Sequence, residues 1–289
     1  MIRTIRPVAC LVALALGLSS MLGLPVFGQD TPYDLIAKAD LAYMTRYLEE
    51  DMFEAIDLYE AVLPNLDELS ASMQAYVLNR LSQLCYEAPL FSGGPSSETK
   101  ATYEKGQAYG FQSLELNEEF AARKAENFAD ALTYVTDAAA AHWTASNWGM
   151  VCELDPLQGL IDQGSILQLF RRAIDIDPTF WGASPSSSLG SLLIMLPGPF
   201  GGDDEAGLAL IEQSVADAPT YLSNRIILAE YWGFTYNWLG ALNGIRDAEL
   251  IEREAAAILD AEIGDWPFWN RQAKVDAERL LAQLRDLTD

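Results

Sequence analysis

The stretch GLALIEQSVADAP, residues 207–219, contains a repeating unit in compact form. Gly207, Ile211 and Ser214 stand at i, i+4 and i+7, which places them on one face of a helix. Pro219 ends that helix, because proline has no N–H to donate and its ring clashes with the preceding turn. The same spacing returns in ILQLFRRAIDIDP, residues 166–178, as Ile166, Phe170, Ala173 and Pro178. Two looser copies lie upstream: Ala55, Tyr59 and Val62 with Asp67 in the place of the proline, and Gly106, Gly110 and Ser113 with Glu118 there. Small residues at such positions let two helices approach closely, and the bulky residue one turn on fills the gap against the next pair.

Outward from these copies, apolar residues keep helical spacing nearly everywhere, as at Leu35, Ala39 and Ala42, at Tyr76, Leu81 and Leu84, and at Leu280, Leu281 and Leu284. Alternating strand-like runs are nearly absent. The pattern predicts an all-α chain of roughly ten to twelve helices with short connections. Leu189-Gly190, and Leu228-Ala229 followed by Trp232, supply a matching first-helix pattern. Helix pairs of this kind form the tetratricopeptide arrangement. The copies are unequally spaced, so the expected fold is an irregular tetratricopeptide-like array, an α-α superhelix with insertions. FSGGPSS (91–97) and PGPFGGDD (197–204) break the helices, and Asp203 or Asp204 is placed to cap a helix beginning near Glu205.

The first residues read as a secretory signal: Arg3 and Arg6 precede an apolar run from Val8 to Leu24, and Val26 and Gly28 suit signal peptidase. Residues 1–28 are therefore expected to be removed, leaving 29–289 as a single exported repeat domain. Cys10 sits ahead of the apolar core, where lipoprotein processing would not cut, so no lipid anchor is expected. Cleavage removes two arginines and no acid, taking the net charge from −24 to −26. Nucleic acid is thereby disfavoured as a partner, and so is anionic lipid. Cys85 and Cys152 remain, which permits one disulfide without implying one, since free cysteine is also a common buried residue.

The residues that chemistry requires are scarce. His142 is the only histidine, which leaves no ready triad and no multi-histidine metal site; beside Ala141 and Trp143 it reads as a packed helix residue. The Gly-rich loop 198–204 lacks a phosphate-binding lysine and carries Asp203 and Asp204 instead, so capping explains those acids better than phosphate or calcium does. No cofactor, metal or catalytic residue is expected. A helical-toroid hydrolase, with two acids across a cleft, is the distant enzymatic alternative, and no acid pair stands out for it. A general envelope scaffold binding a peptide is the nearer alternative. The aromatics concentrate in the second half of the chain, and most should pack between repeats. Because the inner side of a repeat array is its binding surface, Trp143, Trp148, Trp181, Tyr221, Tyr231 and Trp232 are the candidate ligand- or partner-binding residues. Of these, Trp181, Tyr221 and Trp232 flank the most orderly repeat.

Residues 175–232 also resemble the TatT family, the tetratricopeptide T component of some tripartite ATP-independent periplasmic (TRAP) transporters. The resemblance is carried by Asp177-Pro178, Gly182, Leu189-Gly190, Pro197, Gly201-Gly202-Asp203, Ala218-Pro219 and Leu228-Ala229-Glu230-Tyr231. It extends more weakly to Asn147-Trp148, to Leu167–Ile176 and to Asn270, Ala273, Lys274 and Ala277. What it implies is a non-catalytic periplasmic helper that forms a homotrimer and docks the substrate-binding protein of the transporter. It further implies an aromatic-lined apolar channel for a hydrophobic or amphipathic organic acid. Two features depart from the family: the missing lipid-attachment cysteine, and GASPSSS (182–188), expected as a loop, in place of a glycine-proline turn.

Overall fold

The computed structural model describes residues 30–92, 94–237 and 240–288. The expected signal segment lies outside them. The chain is an all-α helical repeat protein. Helices α1 (Pro32–Met44) and α2 (Glu49–Glu60) form the first hairpin, and α3 (Ala71–Glu87) and α4 (Ser97–Glu115) the second. Two short helices, α5 (Glu118–Arg123) and α6 (Phe128–Leu132), precede α7 (Ala138–Leu154), α8 (Pro156–Ile176), α9 (Phe180–Met195) and α10 (Asp204–Asp217). Then come α11 (Ser223–Tyr231), a small antiparallel hairpin of β1 (Phe234–Tyr236) and β2 (Leu242–Ile245), α12 (Ala248–Asp260) and α13 (Pro267–Thr288). Phe234 pairs with Ile245 and Tyr236 with Leu242, with a register shift between.

The unequal repeat spacing is explained by two insertions. Helix α4 packs directly on α7, so α5 and α6 are inserted into the array, and the β-hairpin is inserted between α11 and α12. The recurring set falls on the inner faces of α2, α4, α8 and α10. Ala55, Tyr59, Ala173, Ile211 and Ser214 have no exposed surface, and Ile166, Phe170 and Ser113 are buried. The close approach is literal at Gly207, where an added Cβ would lie 2.7 Å from the carbonyl oxygen of Gly190 on α9. A fifth copy appears on α12 as Ile251, Ala255 and Ile258, all fully buried. The expected cap on α10 forms as well, with Asp203 accepting from the Ala206 N–H at 3.0 Å.

The array closes on itself. Phe268, in the first turn of α13, is buried in the core cluster of α1–α3, and Trp269 packs against that cluster. Trp269 Nε1 donates to Glu87 Oε1 at the end of α3 over 2.9 Å. Glu87 has no exposed surface and also accepts from Arg46 Nε at 2.6 Å and from Gln83 Nε2 at 2.7 Å.

The structure corrects the expected loop at GASPSSS. Residues 184–188 are helical and belong to α9; only Trp181, Gly182 and Ala183 depart from helical geometry. Pro185 falls in the first regular turn after that departure, where its missing N–H costs no helical hydrogen bond. Cys85 and Cys152 are both buried and free. Among the described residues no helix is long and apolar enough to cross a membrane.

Candidate ligand site

Where the last helix meets the earlier hairpins, six aromatic residues from five parts of the chain form a closed circuit. Tyr86, in the last turn of α3, stands 6.0 Å between ring centroids from Trp143 on α7. Trp143 is 5.3 Å from Trp181, Trp181 is 5.4 Å from Trp266, and Trp266 is 4.8 Å from Tyr221. Tyr221 is 6.4 Å from Trp269, which returns to Tyr86 at 6.0 Å. Most neighbours meet edge to face, the arrangement in which the positive rim of one ring lies on the negative face of the next. Trp143 and Tyr221 are buried, whereas Tyr86, Trp181, Trp266 and Trp269 keep part of their surface exposed.

Trp181 is aimed into the circuit by an unusual backbone. After the Asp177-Pro178 stop, Trp181, Gly182 and Ala183 take φ values of 49°, 64° and 57° in succession. The left-handed region crowds Cβ against the backbone, so two of these residues are strained, and such strain persists only where its surroundings enforce it. Asn224, fully buried on α11, enforces it here. Its Nδ2 donates to the carbonyl oxygens of Gly182 (2.8 Å) and Ser214 (3.0 Å), while its Oδ1 accepts from Ser187 Oγ (2.8 Å). Tyr221 packs directly on Gly182, leaving no room for a side chain. The Trp181 indole N–H is buried without a partner.

Beside the circuit the electrostatics are negative. Glu153 on α7 is exposed, yet its carboxyl pKa is raised, first by desolvation and then by the charge of Glu230. The Glu153 charge in turn reaches Tyr103, whose hydroxyl is pushed up to about 12 mainly by burial. Tyr86 and Tyr231 are shifted upward by the same two causes among others. Glu230 is held by Arg279, whose Nη1 and Nη2 lie 3.2 and 3.0 Å from its two oxygens.

Of the six residues expected at a binding surface, the fold brings Trp143, Trp181 and Tyr221 into the circuit. Tyr231 lies nearby, 6.0 Å from Tyr236 and within reach of the Glu153 and Glu230 charges. Trp148 faces elsewhere: it packs on Phe111 at 5.4 Å and donates to Asp162 Oδ2. Trp232 packs against the small core cluster around Ile211, beneath the Arg246 guanidinium at 4.3 Å. Sequence reasoning did not select Tyr86, Trp266, Trp269 or Glu153. Trp266 and Trp269 flanking Pro267 at a helix start was a usable signal; nothing local marks Tyr86.

His142 is almost fully buried among Trp143, Phe170 and Phe180, and burial lowers its pKa to about 3. It is therefore neutral at ordinary pH, and below the unfolded value of 6.5 the unfolded chain binds the extra proton. This contribution to stability is complete above that value and is lost toward pH 3, at up to about 1.4 kcal/mol per pH unit. In urea titrations at pH 7, 5 and 4, His142→Leu should show a shallower acid loss than the parent; equal slopes would remove His142 from the account.

Among the described residues no three His, Cys, Asp or Glu side chains converge as a metal site. A family model described as TRAP transporter T-component matches residues 96–287. That span holds five of the six circuit aromatics and omits Tyr86. No curated protein matches the chain.

Proposed function

The chain belongs to the TRAP transporter T-component family, and from that membership we propose that it is a non-catalytic periplasmic accessory protein that docks the transporter's substrate-binding protein and holds an apolar organic ligand. Membership makes it a component associated with a TRAP transporter. The observation that carries the finer reading is the aromatic circuit, four of whose six members remain partly exposed. A partly open aromatic wall in a helical repeat array suits an amphipathic small molecule. Trp181, partly exposed, is its proposed lining, with Trp143 and Tyr221 packed behind it and Tyr231 close by. The homotrimer expected from the resemblance completes the proposal.

Native mass spectrometry of the protein purified from its own periplasm tests the reading. The expected result is a trimer carrying a small organic molecule and, on addition of the cognate substrate-binding protein, a complex. Trp181→Asp should lose the small molecule while keeping the complex. A ligand-free monomer that binds no substrate-binding protein would overturn the proposal.

A further inference from the structure

The contact that closes the array also builds a small groove. A cavity of about 130 Å³ is lined by Tyr47 from the turn after α1, by Leu90 and Phe91 from the short 3-10 helix that follows α3, and by Phe268, Arg271 and Val275 from α13. Its walls come from positions far apart in the chain, so it exists only where α13 has docked on the first hairpins. Phe268 is buried, with its ring 6.2 Å from that of Phe91. Leu90 and Val275, by contrast, are 43% and 60% exposed. Met44 and Leu48, which flank Tyr47 in the sequence, are exposed as well. Large apolar side chains gathered in water around a cavity mark a contact surface.

Arg271 adds a charge to that surface. Its guanidinium lies 4.8 Å from the centroid of the Tyr47 ring, and among the described residues it makes no ion pair and no hydrogen bond. The stacking holds a cation at the groove without neutralising it.

Size and charge together define the occupant. Small-molecule sites usually enclose about 300–1,000 Å³, whereas this cavity has room for one bulky side chain. Seven residues line it, well short of the roughly 20–30 on each side of a stable interface, which suits the anchor point of a reversible contact and not the seam of a permanent oligomer. The Arg271 guanidinium calls for a carboxylate next to that anchor, because apolar surroundings strengthen such a pair over one in open water.

Resting on the docking reading above, we propose that this groove is where the substrate-binding protein docks, through a segment that presents a bulky apolar side chain with an aspartate or glutamate beside it.

The test is titration calorimetry of the full protein with the cognate substrate-binding protein, alongside native mass spectrometry of each variant. Val275→Asp and Arg271→Glu, both at exposed positions, are each expected to weaken the complex at least ~10-fold while leaving the oligomeric state unchanged. Ile161→Asp, which adds the same charge at an exposed position outside the groove, should bind as the parent does. Parent affinity in either groove variant, or equal weakening by Ile161→Asp, would overturn the assignment and leave the docking reading standing. Loss of the oligomer in a groove variant would overturn it too, by showing that a second copy covers this face. A parent protein that binds no substrate-binding protein would overturn the docking reading itself and the groove assignment with it.

Discussion

Replacing Glu87 by alanine is expected to cost about 3–5 kcal/mol of folding free energy, the largest loss anticipated for any single change in this chain. The carboxylate has no exposed surface, and Arg46 beside it is nearly as buried. Removing the acid leaves a guanidinium in the interior with no counter-charge, and it strips partners from Gln83 and from the Trp269 indole as well. The cost comes from the orphaned charge, not from the intrinsic worth of the pair. Replacing both partners with apolar residues, as in Arg46→Met with Glu87→Leu, should therefore recover most of the loss. Urea unfolding of the single and double variants measures this. A single variant within about 1 kcal/mol of the parent would show that Arg46 escapes to solvent when its partner is lost.

The second large effect lies at the strained turn. Gly182→Ala is expected to destabilise by about 2–4 kcal/mol, because alanine resists a positive φ and because its Cβ would sit 2.7 Å from Cγ of Tyr221. Tyr221 can move only by disturbing Trp266 and Trp269, so the change should also alter tryptophan emission and weaken any ligand held by the circuit. Thermal melting and emission spectra of the variant test both parts together. An unshifted melting temperature with unchanged emission would mean that the backbone at 181–183 relaxes freely, against the clamp that Asn224 provides.

The helical repeat was legible because its signal is local. A small residue, a bulky one four positions on and a small one three later need only one helix to be read, and the copies on α2, α4, α8 and α10 were found this way. The copy on α12 escapes because it inverts the order, with Ile251 and Ile258 on either side of the small Ala255, and no proline follows at the usual distance. The circuit was only half legible, because its members are assembled by closure of the array, a contact between α3 and α13 that no local pattern encodes. Trp148 shares a helix with Trp143, but five residues turn a helix by about 140°, enough to send it to another side, against Phe111 and Asp162. The composition of GASPSSS predicts a loop. Three left-handed residues gave Pro185 a fresh helix start, and the serines then found helical partners.

The bond from Trp269 to Glu87 spans 182 positions of sequence. In an open solenoid each unit leans only on its neighbours, so the ends can fray independently and folding can spread from anywhere. A hoop behaves otherwise. The first hairpins complete their interior only when Phe268 and Trp269 of α13 pack against them, a contact of high sequence separation. Loss of α13 should then be felt first at the far end, in α1 to α3, and the molecule should melt as one unit where a linear array would unravel stepwise.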